Sequence, residues 1–289
     1  MNVTNEDVLR ALDPMLRERV ESILDDMRAM PSLVVAFSGG VDSSVVAALA
    51  MLALGDRAHA ATAVSETLGA RELEEARELA REIGIHHELV AFRELDDPKF
   101  VENTPSRCFF CQSMRFDQMQ RLAERLGCEV VASGSNASDV GDHRPGLEAM
   151  SQRRVYQPLL RHEIDKQGVR AIARALGLSV WDKPAKACLS SRIPHGLEVT
   201  EERLRRIERA EDVLEDLDFR IFRVRAHGDH ARVELGGEEL ARALDDHALL
   251  RHIAERVRDT GFSQVSLDAV GYRSGSLNPV GRRGAERAS

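Results

Sequence analysis

Residues 37–44, Phe-Ser-Gly-Gly-Val-Asp-Ser-Ser, constrain the fold of this chain more than any other stretch. The run 33–37 before it, Leu-Val-Val-Ala-Phe, is short, apolar and rich in β-formers and reads as a buried strand. Residues 45–54 after it continue as an Ala/Leu/Val helix. Between them lies a loop the size of a phosphate. Gly39 and Gly40 admit an anion to the backbone without interference from Cβ, while Ser38, Ser43 and Ser44 add hydroxyl donors. The free N–H groups of the helix's first turn point the same way. Asp42 does not suit a bare anion site. A carboxylate beside phosphates repels them unless a cation intervenes, so Asp42 is assigned to Mg²⁺ on a bound nucleotide. The bland alternative is a tight strand-to-helix turn of the kind common in α/β proteins.

The surrounding pattern supports an α/β reading. Residues 5–30 carry apolar side chains at helical spacing with a break at Asp13-Pro14, giving two lead-in helices. Strands at 59–64, 88–92 and 129–132 then alternate with helices at 70–83 and 112–126, the signature of a parallel sheet covered on both faces. In such sheets ligands lie beyond the carboxyl ends of the strands, where Ser38, Ser65, Gly134 and Asn136 all fall. The polar, glycine-rich stretch 133–146 reads as a loop in which Gly134 passes close to the nucleotide, Asp139 or Asp142 assists a metal, and Arg144 reaches an anionic substrate. A helix over 165–176 leads to a strand-like 178–181. From residue 197 the character changes to a capped helix, a hairpin around His227-Gly228-Asp229-His230, one helix over 238–259 and a last strand at 264–267. Two domains are therefore expected, 1–196 and 197–289, the second a smaller α+β unit ending in a polar Arg/Gly-rich tail.

The 289 residues carry a net charge of -8, which argues against a nucleic-acid backbone as the main partner. No apolar run is long enough to span a bilayer, and residues 1–10 are acidic where a signal peptide is basic, so a cytoplasmic location and no membrane partner are expected. Assembly as a homo-oligomer is expected as well. Only Lys99, Lys166, Lys183 and Lys186 are lysines; the other basic residues are arginine.

Four cysteines in this setting are not a disulfide framework. Cys128 opens an apolar strand and reads as an inert buried thiol. Cys108 and Cys111 form a Cys-x-x-Cys pair, and Cys188 stands alone in Lys-Ala-Cys-Leu-Ser-Ser-Arg. A structural zinc site wants four ligands, of which three are present unless a histidine joins. A redox dithiol and simple packing are further options. Three thiolates can also hold a [4Fe–4S] cluster through three of its irons, leaving the fourth open to sulfide.

The 37–44 stretch lacks the Gly-Lys-Ser/Thr ending of a P-loop and the Gly-x-Gly-x-x-Gly of a dinucleotide fold. It resembles the signature of the PP-loop ATP pyrophosphatases, which release pyrophosphate and leave AMP on an oxygen of the substrate. Together with Arg-Cys-Phe-Phe-Cys at 107–111, Asp-His-Arg-Pro-Gly at 142–146, the segment 188–196, Arg-Val-Arg-Ala-His-Gly at 223–228 and Gly-Tyr-Arg-Ser-Gly-Ser-Leu-Asn at 271–278, it makes the chain similar to the LarE family. These are PP-loop sulfur transferases of nickel-pincer nucleotide biosynthesis. The resemblance implies the fold class: α/β, a parallel-sheet PP-loop ATP pyrophosphatase domain (adenine nucleotide alpha hydrolase-like) with a smaller C-terminal α+β domain. It implies ATP, Mg²⁺ and a [4Fe–4S] cluster on Cys108, Cys111 and Cys188 as cofactors. The implied substrate is pyridinium-3,5-biscarboxylic acid mononucleotide, whose carboxylates are adenylylated and then converted to thiocarboxylates. A related branch with one cysteine at the position of Cys188 sacrifices that sulfur instead. Counter-charges for so anionic a substrate are expected from Arg144, Arg192, Arg225 and Arg232, with Lys183 and Lys186 as point charges. Catalysis is expected from Cys188, Asp42 and Arg192.

Three other readings compete. A tRNA thiolase shares the activation chemistry but conflicts with the acidic charge and the C-terminal motifs. An amidotransferase partner would draw ammonia from a separate subunit. A non-hydrolysing nucleotide sensor has no use for Asp42 and a serine-rich loop.

Overall fold

The computed structural model describes residues 4–139 and 145–273. Two compact units divide the chain: Met1–Glu94 with Cys108–Lys186, and Leu95–Arg107 with Ala187–Ser289.

In the first unit α1 (Asn5–Arg10) and α2 (Pro14–Arg28) lead in, and Asp13 caps α2 by accepting from the Leu16 N–H. The break expected at Asp13-Pro14 is this cap followed by a proline at the first helical position. There follow β1 (Leu33–Ala36), α3 (Val41–Leu54), β2 (Ala58–Val64), α4 (Ala70–Ile83) and β3 (His86–Ala91). After α5 (Pro98–Val101), which belongs to the second unit, come α6 (Arg107–Leu126), β4 (Val130–Ala132), α7 (Pro145–Gln152), α8 (Pro158–Arg161) and α9 (Lys166–Ala175). The four strands form one parallel sheet in the order β3-β2-β1-β4.

Alternation along β1 sorts the core into two layers. Leu33 and Val35 face a cluster built by α2, α3, α4 and α9, whereas Val34 faces Phe116, Met119, Leu122 and Ala123 of α6. Helix α3 is buried nearly all round, from Val45 to Ala50 without a break, so it reads as uniformly apolar rather than striped. Each fully buried Val or Leu there contributes about 1.5–3 kcal/mol, which fixes the start of α3, and with it the loop, against the sheet. Cys128 is buried in the α6 layer as expected.

The second unit contains α10 (Glu201–Asp216), β5 (Phe222–His227), β6 (His230–Leu235), α11 (Gly237–Asp245), α12 (His247–Asp259) and β7 (Gln264–Leu267). Its sheet runs β5-β6-β7, antiparallel then parallel, and α10 packs on β5 and α12. Segment 95–107 joins this unit through hydrogen bonds: Val199 N–H to Val101 O (2.9 Å), Asn103 Nδ2 to the carbonyls of Pro194 (2.8 Å) and Leu197 (2.7 Å), and Arg107 Nη1 to Ser190 O (2.8 Å). The junction expected at 196/197 thus falls inside the second unit, because these bonds bind 187–199 to a segment from earlier in the chain.

Three further expectations are corrected. The helix expected at 112–126 begins at Arg107, placing Cys108 in its first turn and Cys111 at the start of its second. Residues Ser179–Asp182 form a 3-10 turn, not a strand. The helix expected over 238–259 is two, because the Asp246 carboxylate accepts from the Ala248 and Leu249 N–H groups and starts a new helix.

Candidate active site

Strand β1 carries the chain to the point where the sheet order reverses, between β2 and β4, and the loop after it lies in the crevice that this reversal opens. Gly39 sits at φ 68°, and a Cβ there would come within 3.0 Å of Ala76 on α4, so only glycine fits. The loop's polar groups pair with one another. Ser43 Oγ accepts from Ser38 N–H (3.2 Å) and donates to Gly40 O (3.1 Å), and Ser38 Oγ accepts from Gly40 N–H (3.3 Å). An entering phosphate exchanges these weak bonds for charge-assisted ones. Ser44 does not take part. It is fully buried and donates to Gly40 O (2.8 Å), so it closes the helix's first turn instead of facing a ligand.

A cavity of about 290 Å³ opens above the loop. Its lining combines Ser38, Asp42, Ser43, Ser133, Ser135 and Asp139 with an apolar floor that includes Phe37, Ala61, Phe116, Met119 and Met150. The dimensions and mixture suit a nucleotide base and its phosphates. Gly134 lines the cavity as well, but its main constraint is packing. A Cβ there would lie 2.6 Å from Ser43 N and 2.8 Å from Asp42 C, so the loop after β4 rests directly on the backbone of α3's first turn. The cavity wall at Thr62 is held from behind. Thr62 Oγ1 donates to Phe37 O (2.7 Å), which leaves it to accept from His87 Nε2 (2.7 Å). Burial, helped by Arg77, lowers the His87 pKa and keeps the ring neutral in that role.

Asp42 is engaged on both oxygens. Oδ1 accepts from Asn136 Nδ2 (2.9 Å) and Oδ2 lies 2.5 Å from Lys166 Nζ. A single carboxylate beside bound phosphates is a donor set of the kind Mg²⁺ takes. Asp139 borders the same cavity, its Oδ2 accepting from the Asn136 N–H (3.0 Å).

A second polar centre lies behind the cavity wall. Glu94, fully buried, accepts from Ser65 Oγ (2.8 Å), Thr67 Oγ1 (2.5 Å), Cys111 Sγ (2.7 Å) and Arg115 Nε (3.2 Å). Burial alone would raise the Glu94 carboxyl. Arg115 and the three hydrogen bonds from Cys111, Thr67 and Ser65 outweigh it and hold the group below the usual range.

Cys108 is exposed and Cys111 buried in the first two turns of α6; Cys188 belongs to the second unit and faces Ser190 Oγ at 3.2 Å. Among the described residues no three His, Cys, Asp or Glu side chains form a group able to hold a metal ion. Cys108 and Cys111 belong to the first unit and Cys188 to the second, and the Cys111 thiol donates to Glu94.

In the second unit the expected anion readers are turned inward. Arg192 is 1% exposed and grips Glu211 through Nε (2.8 Å) and Nη2 (2.7 Å), while Nη1 donates to the carbonyls of Ala187 and Cys188 and to Ser191 Oγ. Its fork holds the Cys188 segment in shape, a bracing role that the sequence reading did not include. Burial would raise the Glu211 carboxyl, but Arg192, the Val224 N–H and Arg223 keep it low. Arg225 is likewise buried, pairing with Glu234 (3.0 Å) and donating to Ser191 O (3.0 Å). Arg232 pairs with Glu234 (3.0 Å) and Asp268 (3.6 Å) and is about one-third exposed. Lys183 lies 2.6 Å from Glu75 of α4, with Lys186 at 4.0 Å from the same residue. Arg144 and Asp142 lie outside the described residues.

Sequence reasoning missed Lys166, Glu94, Arg115 and the Thr62–His87 pair. Scarcity of lysine was the one signal that pointed towards Lys166.

A serine- and glycine-rich loop with an acidic residue, set at the switch point of a parallel 3-2-1-4 sheet, defines a nucleotide-binding protein of the PP-loop class. An asparagine synthase family model matches residues 15–134. The chain is 42% identical to an uncharacterized protein of Synechocystis sp. over 92% of this chain and 99% of that one. It is 33% identical to the pyridinium-3,5-bisthiocarboxylic acid mononucleotide synthase of Lactiplantibacillus plantarum over 91% of this chain and 95% of the synthase. A tRNA-specific 2-thiouridylase of Beijerinckia indica matches at 30% identity over 54% of this chain and 44% of its own length. The chain belongs to the LarE family, that of the bisthiocarboxylic acid mononucleotide synthase.

Proposed function

We propose that this protein is an ATP-dependent sulfur transferase, acting in the cytoplasm, that adenylylates the carboxylates of pyridinium-3,5-biscarboxylic acid mononucleotide and converts them to thiocarboxylates for a nickel-pincer cofactor. The reading is carried by the phosphate loop and its cavity at the switch point, with Asp42 at the lip. Its substrate comes from the named synthase, matched along nearly the whole chain, whereas the thiolase matches only about half.

The chemistry divides into two displacements. ATP lies with its base on the apolar floor and its phosphates against Ser38, Gly40, Ser43 and the first turn of α3. A substrate carboxylate oxygen attacks the α-phosphorus, the bond to the β-phosphate oxygen breaks, and pyrophosphate leaves an acyl adenylate. Asp42 would hold Mg²⁺ there, and the ion's chemistry is to neutralise charge building on pyrophosphate. A sulfur nucleophile then attacks the acyl carbon and AMP departs. Cys108, Cys111 and Cys188 would hold a [4Fe–4S] cluster that supplies the sulfide; in the alternative route the Cys188 sulfur forms a thioester, and elimination across Cα–Cβ, with the Cα proton lost to solvent, releases the thiocarboxylate and leaves dehydroalanine.

No step is assigned to the cluster itself. Assembly as a homo-oligomer also belongs to this proposal, read out by sedimentation. The deciding assay incubates protein with ATP and the dicarboxylated pyridinium nucleotide and measures AMP and pyrophosphate; ADP and phosphate as products would overturn the assignment. Mass spectrometry and iron analysis of anaerobically purified protein separate the two carriers. Single turnover with a loss of about 34 Da from Cys188 marks the cysteine route. Bound iron with repeated turnover on added sulfide, and cysteine mass retained, marks the cluster.

A further inference from the structure

The backbone that carries Cys188 is shaped by side chains as well as by its own turn. Leu189–Arg192 is a short 3-10 turn with Cys188 at its N-cap. Carbonyls buried around such a turn need donors. They find them one after another. Arg192 takes the Ala187 and Cys188 oxygens, Arg107 the Ser190 oxygen (2.8 Å), Arg225 the Ser191 oxygen (3.0 Å), and Asn103 those of Pro194 (2.8 Å) and Leu197 (2.7 Å). Arg192 is part of the segment itself. Arg107 lies 83 residues from the carbonyl it holds, so its place there is made by the fold and not by the neighbouring sequence.

The pair Asn103 and Arg107 is built for this contact. Asn103 sits at φ 56°, a left-handed backbone that asparagine adopts more readily than most side chains, and it is fully buried. Its amide is engaged at both ends, Nδ2 donating to the carbonyls and Oδ1 accepting from Arg107 Nη1 (2.5 Å), while its own carbonyl accepts from the Gly196 N–H (3.2 Å). Arg107 is 4% exposed, and Nη1 is shared between Asn103 Oδ1 and Ser190 O. Packing alone would be served as well by an apolar side chain, because a buried cation carries a desolvation cost. What a satisfied polar network adds is one fixed geometry. The residue so fixed is Ser190, itself buried, and its Oγ lies 3.2 Å from Cys188 Sγ.

Resting on the sulfur-transfer reading above, we propose that Arg107, oriented by Asn103, is a positioning residue for the second displacement: it fixes Ser190, and through Ser190 the direction in which Cys188 presents its sulfur. The role is the same whether Cys188 gives up its own sulfur or ligates the carrier. No bond is made or broken at Arg107, and formation of the acyl adenylate at the phosphate loop does not depend on it.

The test separates the two displacements. Full-length protein is mixed with ATP and the dicarboxylated pyridinium nucleotide, and pyrophosphate and thiocarboxylate are both measured over the first turnover. Arg107→Met should leave pyrophosphate release within about twofold and cut thiocarboxylate per pyrophosphate by at least about tenfold, since displacing a reacting atom by about 1 Å can cost about 100-fold. Arg107→Lys should recover part of that ratio; methionine and lysine have stems of similar length, so the difference between them reports the donor. A readout apart from turnover is iodoacetamide labelling of the iron-free protein with peptide mass mapping, in which Cys188 should be alkylated faster in Arg107→Met than in wild type. Should Arg107→Met fold poorly, Asn103→Gly, which tolerates the left-handed backbone and removes the amide, carries the same comparisons. Losses of equal size in pyrophosphate and thiocarboxylate, or a ratio and an alkylation rate equal to wild type, overturn the proposal. Wild-type protein that releases no pyrophosphate with both substrates present instead overturns the activity reading beneath it.

Discussion

Arg192→Ala tests whether the buried guanidinium is a structural clamp. The side chain is 1% exposed and its partner Glu211 12%, so the pair is screened by protein on nearly every side. Removing one member of such a pair costs about 3–5 kcal/mol, most of it the penalty of leaving the other charge buried. Glu211 keeps the Val224 N–H (3.0 Å) and the nearby Arg223, which places the expected loss near the lower limit, about 3 kcal/mol. Against a total stability of about 5–15 kcal/mol this is large. With a urea slope of about 1–3 kcal/mol/M, the midpoint of the second unit's transition should fall by roughly 1–3 M. Arg192→Ala/Glu211→Gln should recover part of the loss, since no charge is then stranded. An Arg192→Ala protein within about 0.5 kcal/mol of wild type, with pyridinium nucleotide binding selectively lost, would refute the clamp and restore the anion-reading role.

Gly134→Ala should cost about 1–3 kcal/mol and depress pyrophosphate release, because the new methyl meets backbone atoms of Asp42 and Ser43 that cannot rotate away. Gly237→Ala, where the Cβ meets open space, serves as the neutral control in the same thermal melts. Below pH about 6.5 the protein should lose stability as the pH falls towards the lowered His87 value, since the unfolded state takes the proton first; His87→Gln should flatten that limb of the pH–stability curve. Glu94→Gln should remove a charged partner of Arg115 and weaken ATP binding by perturbing the cavity wall, measured by isothermal titration with AMP and ATP.

The phosphate loop, the parallel sheet and the late change of character were legible because they rest on local signals: a β-rich run, two glycines, and alternation of strand and helix. What stayed illegible was long-range. Nothing near Arg192 in sequence announces Glu211 as its partner, so the internal brace that this arginine forms was not foreseen. Ser44 failed for a similar reason: a serine in a helix's first turn has its own turn's carbonyl within reach, and Gly40 O takes the hydroxyl. Lys166 reaches the site from a helix more than a hundred residues downstream of Asp42, and Glu94 gathers donors from both sides of the Cys-x-x-Cys pair. The break at Asp246 was passed over although its signal is local, an aspartate before an apolar run being a cap signal.

Segment 95–107 gives the chain an unusual history during synthesis. It leaves the ribosome early, yet the carbonyls that satisfy Asn103 and Arg107 and the N–H that pairs with Val101 arrive only with residues 190–199. At about 5–20 residues per second the strip waits on the order of 4–20 s before its partners exist, a buried asparagine among its side chains. The same threading means that ending the chain at Lys186 cannot yield a clean first unit, because the strip would remain with its bonds unmet. Only excision of 95–107 and ligation of Glu94 to Cys108 would release it, a cut that runs between the buried carboxylate and the first thiol of the Cys-x-x-Cys pair.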